Sequence, residues 1–129
     1  MRLLLDTHAL VWATLDDRRL SASSRAAILD QDNLVFVSLA SIWEIAIKVG
    51  IGKMPEAERL VRDLRAGTAL PGFDELPIER GHAIEAGLLD IPHKDPFDRL
   101  LIAQAQLEGL TLISNERLFD RFGVNRLWD

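Results

Sequence analysis

The stretch that most constrains this chain is its first, Arg2-Leu3-Leu4-Leu5-Asp6-Thr7. Three consecutive leucines without polar alternation predict a strand buried on both faces, and such strands belong to parallel sheets covered by helices. The strand is therefore expected near the middle of its sheet. It stops at Asp6-Thr7, two residues that cap helices well, and a helical pattern continues through Trp12 and Leu15. Asp6 thus falls at the carboxyl end of a central strand, the edge where open α/β sheets place their ligands.

The same alternation continues along the chain. Residues 21–30 read as a helix capped by Ser21, and residues 34–37 as a second buried strand ending at Ser38. Ser41-Ile42-Trp43-Glu44 opens a helix with capping-box spacing, which Gly50 and Gly52 end. Residues 54–66 form an arginine-rich amphipathic helix closed by Gly67. Between residues 45 and 72, Lys48, Lys53, Arg59, Arg62 and Arg65 outnumber Glu56, Glu58 and Asp63, which reads first as a solvated helix face and second as a basic rim.

Residues 73–78 are a shorter third strand, bounded by Pro71-Gly72 and placed at an edge by Pro77. A helix over 80–89 and a loop over 91–94 follow. Asp95-Pro96-Phe97-Asp98 then begins the most apolar helix, 99–108, which Gly109 stops. Residues 110–113 are a fourth strand ending in Ser114-Asn115-Glu116, where a short helix starts, and 124–128 a fifth. No repeat, linker or low-complexity segment interrupts the pattern. It predicts one domain over 1–129, a three-layer α/β sandwich.

Composition narrows the function. The chain has no cysteine, which excludes a disulfide scaffold and any thiolate metal site. A formal charge of -5 argues against general adhesion to nucleic acid, yet leaves room for a local basic rim around an acidic pocket. No signal-peptide core follows Met1-Arg2 and no stretch reaches membrane-spanning length, so the expected location is the cytoplasm, without a membrane partner.

Asp6, Glu44, Asp98 and Glu116 share one position in their local units, just past a strand's carboxyl end or in a helix's first turn. In a parallel sheet those ends face the same way, so the four acids can meet in one crevice. Each also has an ordinary explanation: Asp6 as an N-cap, Glu44 as the partner of Ser41 in a capping box, Asp95 and Asp98 as N-cap and N3 around Pro96, Glu116 as a complement to a helix dipole. Taken together, converging carboxylates repel one another unless a cation joins them. Oxygen ligands without Cys or a His pair favour Mg²⁺ or Mn²⁺, which polarise phosphodiesters and activate water.

Leu5-Asp6-Thr7-His8-Ala9-Leu10, Ser41-Ile42-Trp43-Glu44-Ile45 and the block His93-Lys94-Asp95-Pro96-Phe97-Asp98-Arg99-Leu100-Leu101-Ile102-Ala103-Gln104-Ala105 together resemble a PIN domain. More narrowly, they are similar to the VapC-type ribonuclease toxins of bacterial toxin–antitoxin pairs. The resemblance implies a Mg²⁺- or Mn²⁺-dependent endoribonuclease with a five-stranded parallel sheet in the order 3-2-1-4-5. It also implies a homodimer, and a small cognate antitoxin that inserts a segment into the active-site groove. Asp6, Glu44 and Asp98 match the family's first three acids, and Asp95 is typical of this subgroup as a further ligand or a helix cap. The fourth acid, usually Asp in a Thr-x-Asp motif, is here Glu116 within Ser114-Asn115-Glu116. On this reading Asp6 and Asp98 are the principal metal ligands and Glu44 completes the shell or orients the attacking water. Thr7 and Ser114 would bond a metal-bound water or a phosphate oxygen, and Arg99 a phosphate.

His8, His82 and His93 form no metal pair at helical spacing and read as surface or packing residues, while Trp12, Trp43 and Trp128 read as core or dimer-interface residues. Gly50-Ile51-Gly52-Lys53 follows a helix rather than a strand, so it is a helix stop and not a phosphate loop. Two other readings stand beside the nuclease. One is a receiver-like, Mg²⁺-binding phospho-acceptor domain, although Asp6 is followed by Thr7-His8 where that class needs a second acid. The other is a catalytically silent PIN scaffold that serves only protein interaction.

Overall fold

The computed structural model describes residues 1–68, 70 and 72–129. Five strands form one sheet in the order β3-β2-β1-β4-β5: β1 (Arg2–Leu5), β2 (Leu34–Ser38), β3 (Asp74–Leu76), β4 (Thr111–Ile113) and β5 (Arg126–Leu127). Every neighbouring pair is parallel. The leucine run occupies the centre as its composition demands, with Leu4 opposite Phe36 on one side and Leu112 on the other. A receiver-like sheet runs in the order 2-1-3-4-5. The observed order sets that reading aside.

The pleat of β1 divides the core. Leu3 and Leu5 face a cluster with Leu10, Val35, Val37, Ile45 and Ile113, under α1 (Thr7–Leu15), α2 (Ala22–Leu29), α3 (Leu39–Gly50) and α4 (Glu58–Arg65). Leu4 faces the other way, toward Leu101, Ile102, Ala105, Leu112 and Phe119, under α5 (Arg80–Leu88) and α6 (Pro96–Glu108). Helices therefore cover both faces, the three-layer sandwich that the alternating pattern predicts. Because every strand runs the same way, all carboxyl ends lie along one edge, and the amide of Asp6 donates to the Ile113 carbonyl across it at 3.0 Å.

Local signals set most boundaries. Ser21 caps α2, its hydroxyl accepting the Ser24 amide. Asp95 caps α6 with Pro96 at its first position, and Gly109 ends that helix in the left-handed region at φ 64°. The segment predicted as one helix over 54–66 is a 3-10 turn (Pro55–Ala57) followed by α4. The strand predicted over 73–78 keeps only Asp74–Leu76 and lies at the edge; Pro71, one of its expected boundaries, is outside the described residues. The short helix after Glu116 is a 3-10 turn (Arg117–Phe122).

One predicted boundary is corrected. Ser41 and Glu44 do not form a capping box, since Ser38 is the N-cap of α3 and its hydroxyl accepts the Ala40 amide. Ser41 and Glu44 lie one turn further in, both buried, on the side that meets α1.

Candidate active site

The carboxyl edge of the sheet holds a cleft of about 400 Å³ lined by Asp6, Thr7, His8, Trp12, Glu44, Lys48, Asp95, Asp98, Asn115, Glu116 and Phe119. All five acids expected at the site line it, from four separate segments of the chain. Asp6 is supplied by the β1–α1 turn, where its carboxylate accepts the Ala9 amide at 2.8 Å and so also caps α1. Although it is buried, no Lys, Arg or His lies within ion-pair distance of it among the described residues. Burial pushes its pKa up to about 6, against the opposing pull of hydrogen bonds from Ser114 and the Ala9 amide.

Glu44 is held on α3. The Thr7 hydroxyl donates to its Oε1 at 2.6 Å, and Lys48, one turn along the same helix, pairs with Oε2 at 2.9 Å. Asp98 stands in the first turn of α6, and the His93 imidazole meets its Oδ2 at 2.6 Å. Its pKa is also raised, first by burial and then by the charges of Asp95 and Glu44, while the His93 hydrogen bond works against them. Asp95 and Glu116 are exposed, and each spends an oxygen on a cap: Asp95 accepts the Phe97 and Asp98 amides, Glu116 the Leu118 amide.

The acids share a cleft but are not drawn up as a finished cage. Among the described residues, no three carboxylate or imidazole groups stand close enough to hold one ion as they are. The donor set nonetheless suits a hard divalent cation, because it is all oxygen and includes a buried carboxylate without a cationic partner. Lys48 and His93 sit on two of the other acids.

The three residues assigned to substrate do other work. Thr7 spends its one hydroxyl proton on Glu44. Ser114 has no exposed surface and does not line the cleft; its hydroxyl accepts the Glu116 amide at 3.0 Å and lowers the Asp6 pKa from beneath. Arg99 is outside the cleft, and all its donors go to backbone carbonyls between residues 86 and 93. Of the basic stretch, only Lys48 lines the cleft, whereas Arg59, Arg62 and Arg65 are exposed.

Sequence reasoning missed Lys48 and His93 as members of the site. Lys48 carried a signal, since Glu followed by Lys four residues later places both on one helix face. His93 carried none, because a loop path and not a periodicity brings it to Asp98. Trp12 is core and packs against Trp128 at 5.9 Å between ring centres; Trp43 is 57% exposed and edge-on to Phe97 at 5.1 Å.

Comparison with known proteins places this geometry in context. No curated protein matches the sequence. Among solved structures, a chain of VapBC2 from Rickettsia felis, bound to a promoter DNA fragment, is 20% identical with a TM-score of 0.73, covering 100% of both chains. A chain of DNA-bound VapBC from Salmonella typhimurium is 18% identical with a TM-score of 0.69, over 98% of this chain and 97% of that one. VapC20 of Mycobacterium tuberculosis, described as a Sarcin-Ricin loop cleaving toxin, is 12% identical with a TM-score of 0.70, over 98% of this chain and 99% of that one. These likenesses carry the fold. The family model for the PIN domain matches residues 3–125, and with the sheet order and the acidic cleft already in place, the chain belongs to the PIN domain family.

Proposed function

We propose that this chain is a Mg²⁺- or Mn²⁺-dependent endoribonuclease and the toxin of a toxin–antitoxin pair. The observation that carries the reading is Asp6: a buried carboxylate with a pKa near 6, no ion-pair partner among the described residues, and Glu44, Asp98 and Glu116 lining the same cleft. Buried carboxylates with raised pKa values cluster at functional sites, and this one shares its cleft with four other acids. Asp6 and Asp98 would hold the cation, with Glu44 completing the shell or orienting water, and Asp95 and Glu116 assisting from the rim. When bound, the cation supplies a Lewis acid for the phosphodiester and a lowered pKa for water. Thr7 holds Glu44 in place, and Ser114 steadies Asp6.

The toxin assignment draws support from the similar structures, two of which are VapBC complexes and one a toxin described as cleaving the Sarcin-Ricin loop. RNA is accordingly the proposed substrate, a small cognate antitoxin the proposed inhibitor, and the cytoplasm the compartment where all three meet. No helix of the described residues is long and apolar enough to cross a membrane. The test is cleavage of RNA by purified protein with Mg²⁺ or Mn²⁺, stopped by EDTA, with the new ends sequenced after a brief pulse of expression. Growth arrest that a neighbouring reading frame relieves completes the toxin assignment. Absence of both cleavage and Mn²⁺ uptake would instead favour the silent scaffold.

A homodimer belongs to the same proposal. Leu39, Trp43 and Ile47 recur every four residues on α3 and are 37%, 57% and 40% exposed, a continuous apolar stripe with Phe97 against its tryptophan. Trp43→Glu is expected to convert a dimer into a monomer in light scattering, and to replace a midpoint that rises with protein concentration by a lower one that does not, because a partner that binds only the folded chain stabilises it. A monomeric wild-type protein would refute the assignment.

A further inference from the structure

We propose that Arg99 is a positioning residue for the acidic cleft, acting through His93 on Asp98. Its planar guanidinium gathers five carbonyls. Nε donates to Ala86 at 2.9 Å; Nη2 donates to Gly87 at 3.3 Å and Leu89 at 2.7 Å; Nη1 donates to Ile91 at 3.4 Å and His93 at 2.9 Å. The first two lie in the last turn of α5, whose carbonyls have no partner within the helix, and the rest belong to the C-cap and the loop that follows. The loop is thereby wound around one side chain, and its last anchored carbonyl is that of His93.

The His93 ring then turns back to the residue beside Arg99. Its Nε2–H donates to Asp98 Oδ2 at 2.6 Å, while the ring packs edge-on to Phe119, itself buried at the cleft, and at a tilt to Phe122. A closed circuit results: Asp98 and Arg99 are adjacent on α6, Arg99 fixes the His93 backbone, and His93 fixes the Asp98 carboxylate. One oxygen of Asp98 is thus committed, and among the described residues Oδ1 accepts no hydrogen bond. A carboxylate with one oxygen held by a neighbour presents the other in a defined direction. A loop clamp serving only to satisfy carbonyls would not require the imidazole at its end to reach an acid of the cleft. The consequence for a cation rests on the metal reading proposed above, whereas the circuit itself does not.

The experiment uses the full chain without RNA and reads two quantities. In metal-free protein labelled at histidine, NMR follows the hydrogen-bonded imidazole N–H of His93; calorimetry measures Mn²⁺ affinity. H93A is expected to weaken Mn²⁺ binding about ten- to a hundredfold, the range for a residue that orients a ligand. H93Q, whose amide can still donate to Asp98, recovers most of the loss. Lysine cannot reproduce a five-donor fork, so R99K loses the protected imidazole signal and weakens Mn²⁺ binding, and H93A/R99K binds no more weakly than the worse single variant. Additive losses, or Mn²⁺ binding by H93A as tight as wild type or tighter, overturn the proposal. If the wild-type chain takes up no Mn²⁺, the metal reading fails by itself. The R99K spectrum then still decides: a retained imidazole signal sinks the circuit and a lost one supports it. Should R99K not fold, R99Q, which keeps an amide donor but not the fork, takes its place in both measurements, and a retained imidazole signal with unchanged Mn²⁺ affinity overturns the proposal.

Discussion

Asp98→Asn is expected to lose RNA cleavage by on the order of a thousandfold, since a cation's contribution to charge stabilisation in such reactions is several kcal/mol and each 1.36 kcal/mol is tenfold in rate. The substitution changes charge and little else. Asn is nearly isosteric, its amide oxygen can accept the His93 N–H, and the cap of α6 belongs to Asp95 and survives. The unfolding midpoint should therefore hold or rise while activity collapses. Asp95→Asn supplies the contrast. It keeps both cap hydrogen bonds and removes a charge from the rim, so its loss should stay near tenfold, the scale of a group that acts on a ligand from outside. Steady-state cleavage of a defined RNA at saturating Mn²⁺ measures both. Wild-type rates in Asp98→Asn, or cleavage by that variant in EDTA, would remove the carboxylate from the mechanism.

Asp6→Asn is expected to make the metal-free protein more stable at pH 7.5, by up to about 3 kcal/mol. The size follows from the movement of the Asp6 pKa from 3.8 to about 6, at 1.36 kcal/mol for each pH unit. The sign follows from proton binding. Between about pH 4 and 6 the folded state holds a proton on Asp6 that the unfolded chain has released, so the Asp6 contribution to stability falls as pH rises through that window and stays lost above it. Burial of Asp98, which raises its pKa as well, adds in the same direction. Asn removes the charge but retains an oxygen for the Ala9 amide, so the α1 cap remains. The difference in unfolding midpoint between variant and wild type, roughly 10 °C at full size for a chain of this length, should shrink toward zero near pH 4. Mn²⁺ should raise the wild-type midpoint and leave the variant unmoved. A variant no more stable than wild type at pH 7.5 would mean that the buried charge costs nothing.

Both effects arise at an edge of the sheet that was legible in the residues. Leu3-Leu4-Leu5 is apolar without alternation because both faces of β1 are covered, so its central place and the position of Asp6 follow from local composition. Asp95-Pro96 and Gly109 mark the ends of α6 through preferences that need no tertiary partner. The meeting of Asp6, Glu44, Asp98 and Glu116 could be anticipated because parallel strands present their carboxyl ends together. Ser41 shows the limit. Its spacing to Glu44 imitates a capping box, but Ser38 stands three residues earlier with an equally good hydroxyl, and tertiary contact of Ser41 and Glu44 with Thr7 decided between them.

By itself, the sequence determined the alternation of strands and helices, the buried centre of the sheet, and the supply of acids to one edge, since periodicity and capping act over only a few residues. Tertiary structure alone decided what each polar group touches. It gave Thr7 and Lys48 to Glu44, hid Ser114 beneath Asp6, and turned Arg99 from a phosphate toward the loop that carries His93. A long side chain such as arginine can reach many partners from one backbone position. Which partner it takes depends on where distant segments pass, and no local pattern records that.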